Sequence, residues 1–169
     1  MISDSMHAAL TEQLNHEFRS AYLYLAMSAY CSHAEFNGAA HWFKQQYEEE
    51  HFHATKVYDY LIEQGARVPL APLGEPRADY DSLLDVFEAS LEHEQEMTSR
   101  LNDLSDQALS EKDHATYNLL QWFVNEQIEE EATVAAIIAK LRLVGTDGYG
   151  LLMVDNELGG RPMPPADGA

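Results

Sequence analysis

Glu17, Glu50, Glu94 and Glu130 each interrupt a series of otherwise apolar residues spaced by threes and fours. The first series reads Leu10, Leu14, Glu17, Ala21, Tyr24, Ser28, and the second Ala40, Phe43, Tyr47, Glu50, Ala54, Val57, Leu61. The third reads Leu84, Phe87, Leu91, Glu94, Met97, Leu101, Leu104, and the fourth Leu120, Phe123, Gln127, Glu130, Val134, Ile137, Leu141. This spacing puts each series on one face of a helix. A carboxylate buried in such a face loses several kcal/mol of hydration unless a cation repays it. His53 follows Glu50 by three residues and therefore projects to the same side. Glu-x-x-His on one helix, with lone glutamates on others, is the donor set of a carboxylate-bridged dinuclear metal site. Oxygen donors with one imidazole suit cations such as Fe and Mn; a structural zinc site would ordinarily use thiolates.

Each acid alone fits a solvated helix face, and Tyr24 alone fits a core tyrosine. The metal reading rests on all four acids falling at one height, which depends on the elements that carry them. Residues 1–64 contain one glycine, Gly38, and no proline, and residues 77–144 contain neither. Between them lies a stretch with Gly65, Pro69, Pro72, Gly74 and Pro76. Breaks at Asn37-Gly38 and at Ser110 to Asp113 divide each long region in two. The expected helices cover about 4–34, 38–65, 81–109 and 113–144, with Gly145 as a C-terminal cap and a short fifth helix near 148–158. At 1.5 Å of rise per residue, all four glutamates fall near the middle of their helices.

The connection at 66–80 can reach roughly 50 Å when extended, and a helix of this length is about 42 Å long. One crossover can therefore run the whole bundle, leaving the first and fourth helices pointing one way and the middle two the other. The expected fold is all-α: a four-helix bundle with one long crossover and a short fifth helix. It forms a single domain over residues 1–159, with 160–169 as a flexible tail.

With 29 acidic against 10 basic residues and a formal charge of −19, the surface should repel nucleic acid and attract cations. Cys31 is the single cysteine, which fits a reducing compartment. The first residues lack the pattern of a signal peptide, and no apolar run is long enough for a membrane span. A soluble, cytoplasmic protein without membrane or nucleic-acid partners is the expectation.

The strings Glu17-Phe18-Arg19-Ser20-Ala21-Tyr22-Leu23-Tyr24, Glu49-Glu50-His51-Phe52-His53-Ala54, Glu94 and Glu126-Gln127-Ile128-Glu129-Glu130 resemble those of the ferritin family, specifically its non-haem bacterial members. The match runs from residue 5 to about 160. The resemblance implies a first iron site at Glu17, Glu50 and His53, and a second at Glu50, Glu94 and Glu130 with Gln127 close by. It implies a third at Glu49, Glu126, Glu129 and Glu130; without it, Glu49, Glu126 and Glu129 read as a solvated acidic face. Tyr24 would sit beside the metals as an electron donor, and Trp122 resembles a further one. The family further implies a hollow homo-oligomeric shell of 24 subunits. Its ferroxidase would oxidise Fe²⁺ with O₂ or H₂O₂ and store the Fe³⁺ as mineral.

Three departures narrow the match. Bacterioferritin carries a second Glu-x-x-His, where this chain has Gln127-x-x-Glu130. Its haem-binding methionine falls where this chain has His51, so no haem is expected. The acids of animal threefold pores correspond to Tyr117 and Leu120, which would not draw cations in. Among rival readings, a rubrerythrin-type peroxidase needs a cysteine-ligated iron that one cysteine cannot build. A DNA-protecting mini-ferritin places its metals between subunits and lacks a fifth helix. A metal-free structural bundle would keep its core acids without a cation.

Overall fold

The structure, a computed structural model, describes residues 2–162. Five helices follow in order: α1 (Asp4–His33), α2 (Asn37–Glu63), α3 (Leu83–Glu111), α4 (His114–Val144) and α5 (Gly148–Leu158). Helix α1 packs along α2, α3 packs along α4, and α5 rests on α2 and α4. No described helix is both long and apolar enough to cross a membrane.

Local sequence starts most of these helices. Ser3 accepts from the Met6 amide, Ser82 from Asp85, Asp113 from Thr116 and Asp147 from Gly150, so each satisfies an otherwise orphaned donor in a first turn. Ser110, the first residue of the expected break, lies instead in the last turn of α3, where its hydroxyl donates to the Gln107 carbonyl. The chain reverses after α3 because Lys112 adopts a left-handed conformation, φ 57°. Gly145 ends α4 with φ 56°, as a C-terminal glycine should.

The break between α1 and α2 is not made by Gly38. Glu35 turns the chain with φ 64°, and Asn37 and Gly38 already belong to α2. Helix α2 has no side-chain cap from Phe36. Asp155 of α5 supplies one from a distance, its carboxylate accepting from the Gly38 amide at 3.1 Å and the Ala39 amide at 2.8 Å. Gly38 is required there by packing: a Cβ on it would lie 1.7 Å from the Asp155 carbonyl oxygen.

The 64–82 connection lies along α1. His7 Nε2 meets the Arg67 carbonyl at 2.8 Å. Two turns further on, the Asn15 side chain accepts from the Ala71 amide at 2.7 Å. At the far end Tyr80 packs edge-on against Tyr30, ring centroids 5.1 Å apart. The chain thus re-enters the bundle at the end where α2 began, and α3 runs parallel to α2. Ser5 of α1 donating to Glu111 at the end of α3, 2.8 Å, fixes the same orientation.

The core falls into two apolar clusters. One contains Tyr24, Met27, Phe43, Phe87, Val134 and Leu141. The other contains Leu10, Leu14, Val57, Leu61, Leu101 and Phe123. Between them lies the layer of buried acids. Residues 163–169, most of the expected tail, lie outside the described residues. Arg161, in the described part of the expected tail, is bonded to α2.

Candidate metal centre

Each helix delivers its acid to the interior because the acid occupies a core position of that helix's apolar face. Glu17 is 1%, Glu50 2%, Glu94 1% and Glu130 8% exposed. His53 and Gln127 are buried with them, and Tyr24 is fully enclosed. Glu17, Glu50 and His53 each present one ligand-type atom, all within 4.8 Å of one another. Among the described residues this is the one such trio. Glu94 and Glu130 lie outside that radius but close enough for their charges to act on Glu50.

No arginine or lysine ion pair reaches Glu17, Glu50, Glu94 or Glu130 among the described residues. The basic group nearest Glu50 is His53, its Nδ1 3.7 Å from a Glu50 oxygen. Burial pushes the carboxyls of Glu17 and Glu50 well above the ordinary carboxylate range; Glu50 adds to the effect on Glu17, and Glu94 and Glu130 add to it on Glu50. Burial, then Glu94, raises the Glu130 carboxyl to about 8. A divalent cation reverses every one of these penalties at once, since it replaces repulsion between acids by coordination. The donor set, four carboxylates and one imidazole, fits a pair of oxygen-preferring transition-metal ions.

Side-chain amides hold three of the acids. Gln13 Nε2 donates to Glu17 Oε1 at 2.7 Å, Gln127 Nε2 to Glu94 Oε2 at 2.9 Å, and Gln46 Nε2 to Glu130 Oε2 at 2.5 Å. The Tyr24 hydroxyl donates to Glu94 Oε1 and also meets Ser90 Oγ at 3.2 Å. Gln13 and Gln46 did not emerge from the sequence. The available signal was position: each stands one helical turn before a core glutamate, Glu17 and Glu50 respectively.

The surroundings of His53 are aromatic. Trp122 meets it edge-on at 5.3 Å and Phe123 at 5.7 Å, while the Lys56 ammonium sits 4.2 Å above the Trp122 ring. Trp122 therefore touches both an interior donor and the surface. His51 is exposed on the other side of α2. Leu120 is buried in the core and does not line a surface.

The expected third cluster is less closely drawn. Glu49 is bound by Arg161, whose Nη2 donates to Glu49 Oε2 at 2.6 Å. Burial raises the Glu49 carboxyl, Arg161 opposes that, and Glu126 lies near enough to add to the rise. Glu129 is exposed. Glu130 belongs to the buried layer.

A family model described as a ferritin-like domain matches residues 7–144. The chain is 41% identical over 161 residues to a bacterial non-heme ferritin of Staphylococcus aureus, covering 95% of this chain and 97% of that protein. It is 39% identical over 161 residues to a protein of the same name from Staphylococcus saprophyticus, covering 95% of this chain and 96% of the other. Among solved structures it is similar to the open-pore ferritin of Archaeoglobus fulgidus, with TM-score 0.95 and 46% identity over 96% of this chain and 100% of that one. A humanized archaeal ferritin superposes with TM-score 0.96 and 44% identity, covering 98% of this chain and 100% of that one. A bundle with one long crossover, a short final helix and a buried layer of glutamates is thus matched along nearly the whole chain: it belongs to the ferritin family.

Proposed function

We propose that this chain is the subunit of an iron-storage shell and a ferroxidase. The observation that carries the reading is the buried layer of four glutamates at the middle of the bundle, unpaired by arginine or lysine among the described residues. Its similarity to proteins named non-heme ferritin points the same way.

In this reading Fe²⁺ is the substrate. Glu17, Glu50 and His53 bind one ion, and Glu50, Glu94 and Glu130 bind the other, with Glu50 bridging. Gln13, Gln127 and Gln46 hold the carboxylates so that little reorganisation accompanies binding. Each Fe²⁺ gives up one electron. Two electrons and two protons convert O₂ to H₂O₂, or H₂O₂ to two waters. The first position has an imidazole and the second only oxygen donors, so the second holds its ion less firmly and releases Fe³⁺ for storage. Tyr24, donating to Glu94, and Trp122, against His53, stand where each could supply an electron. A third position at Glu49, Glu126, Glu129 and Glu130 would share Glu49 with Arg161, whose cationic guanidinium opposes a further cation there, so it binds more weakly than the pair. The working assembly is a cytoplasmic homo-oligomer of 24 subunits.

Aerobic addition of Fe²⁺ to the purified protein tests this. The expected result is a soluble amber product that elutes with a large shell on size-exclusion chromatography, and its loss in Glu50→Ala. Precipitated iron, or a Glu50→Ala variant as active as the parent, refutes it. A smaller assembly with cation sites between chains would favour the mini-ferritin reading.

A further inference from the structure

Arg161 lies beyond α5, in a segment that composition marks as a tail, yet its side chain is built into α2. The guanidinium stacks over Trp42 at 4.6 Å. Its Nη2 donates to Glu49 Oε2 at 2.6 Å and its Nη1 to Gln46 Oε1 at 2.5 Å. The Arg161 carbonyl is held in turn by His41 Nε2 at 2.9 Å. Three residues of α2 therefore fix the side chain and a fourth its backbone, and the planar fork serves two acceptors at once.

The consequence reaches the interior through Gln46. A guanidinium has only donors, so the end of the Gln46 amide that faces it must be the oxygen. The amide NH₂ then points the other way, where it donates to Glu130 Oε2 at 2.5 Å. Without Arg161 the amide oxygen loses the partner that fixes it, and only the bond to Glu130 is left to hold the amide in place. We infer that Arg161 is a positioning residue for a divalent cation at Glu130: acting through Gln46, it holds one Glu130 oxygen and leaves the other for the metal ion. Arg161 thereby sets the affinity of a site that its own side chain does not touch. This rests on the reading of Glu130 as a ligand of the second cation.

The test is anaerobic isothermal titration of the full-length, metal-free protein with Fe²⁺, resolving the first and second binding steps. Arg161→Gln and Gln46→Leu should each weaken the second step by about tenfold or more, the usual effect of removing a partner that orients a ligand. Both should leave the first step within about twofold. Arg161→Lys keeps the charge but cannot serve both acceptors, and should fall between Arg161→Gln and the parent. Glu130→Ala is the control and should abolish the second step. If it does not, Glu130 is not the ligand and the inference falls with that reading. If it does, while either Arg161→Gln or Gln46→Leu leaves the second step unchanged, the relay alone is overturned. Equal weakening of both steps would mean a general structural effect and would also overturn it.

Discussion

Loading the buried acids with a divalent cation must expel protons, and Glu130 gives the count. Its carboxyl is raised to about 8, burial being the largest cause and Glu94 the next. A group titrating there is protonated in about nine subunits of ten at pH 7 and in about one of four at pH 8.5. Coordination requires the carboxylate. Binding therefore releases about 0.9 proton from this residue at pH 7 and about 0.25 at pH 8.5. Glu17 and Glu50, whose carboxyls are raised as well, can only widen the difference in the same direction. Total release should thus be greater at pH 7 than at pH 8.5, by about 0.65 proton per subunit from Glu130. The sign for affinity follows: a raised acid holds its proton below its own pKa, so binding weakens as pH falls through 8, by up to about tenfold per unit for this group. Calorimetry of metal-free protein with Mn²⁺, an oxygen-preferring stand-in, in buffers of different ionisation enthalpy measures the count directly. Less than about half a proton at pH 7, or equal counts at the two pH values, would refute the reasoning.

Gln127→Leu should weaken the second Fe²⁺ by about tenfold, because Glu94 loses its 2.9 Å donor; anaerobic titration reads it. Asp155→Ala removes the cap on α2 and should cost about 1–2 kcal/mol, visible as a lowered melting temperature and faster hydrogen exchange at Gly38 and Ala39. Gly38→Ala should displace α5 altogether, since the added carbon would fall 1.7 Å from the Asp155 carbonyl oxygen; native exchange rates across α5 that match the parent would contradict this. Cys31 is fully buried and its thiol pushed up to about 12, so an aromatic disulfide reagent at pH 8 should react only after unfolding.

Much of this architecture was legible because the sequence obeys local rules. Helical periodicity, the Gly/Pro-rich connection and the Asp113 and Gly145 caps place the long elements within a few residues. Four core positions that hold Glu where Leu would be expected mark the interior layer. What escaped was whatever depends on residues far apart. Gly38 looks like a helix breaker, but it is small because the backbone of α5 passes against it. Gln46 looks like an ordinary polar residue; only the neighbouring α4 shows that its amide meets Glu130. Arg161 sits among glycines and prolines, and nothing near it in sequence announces that α2 will bind it. The third cluster, legible as a string of acids, proved in part to be already committed to that arginine.

The amides that open α2 wait for a carboxylate 117 residues downstream. A nascent chain can wind most of its second helix early, yet the first turn of that helix stays open to fraying until Asp155 has been made and its carboxylate has docked. A chain that stalls before Asp155 leaves both amides without that partner, so the two ends of the bundle's second helix mature at different times.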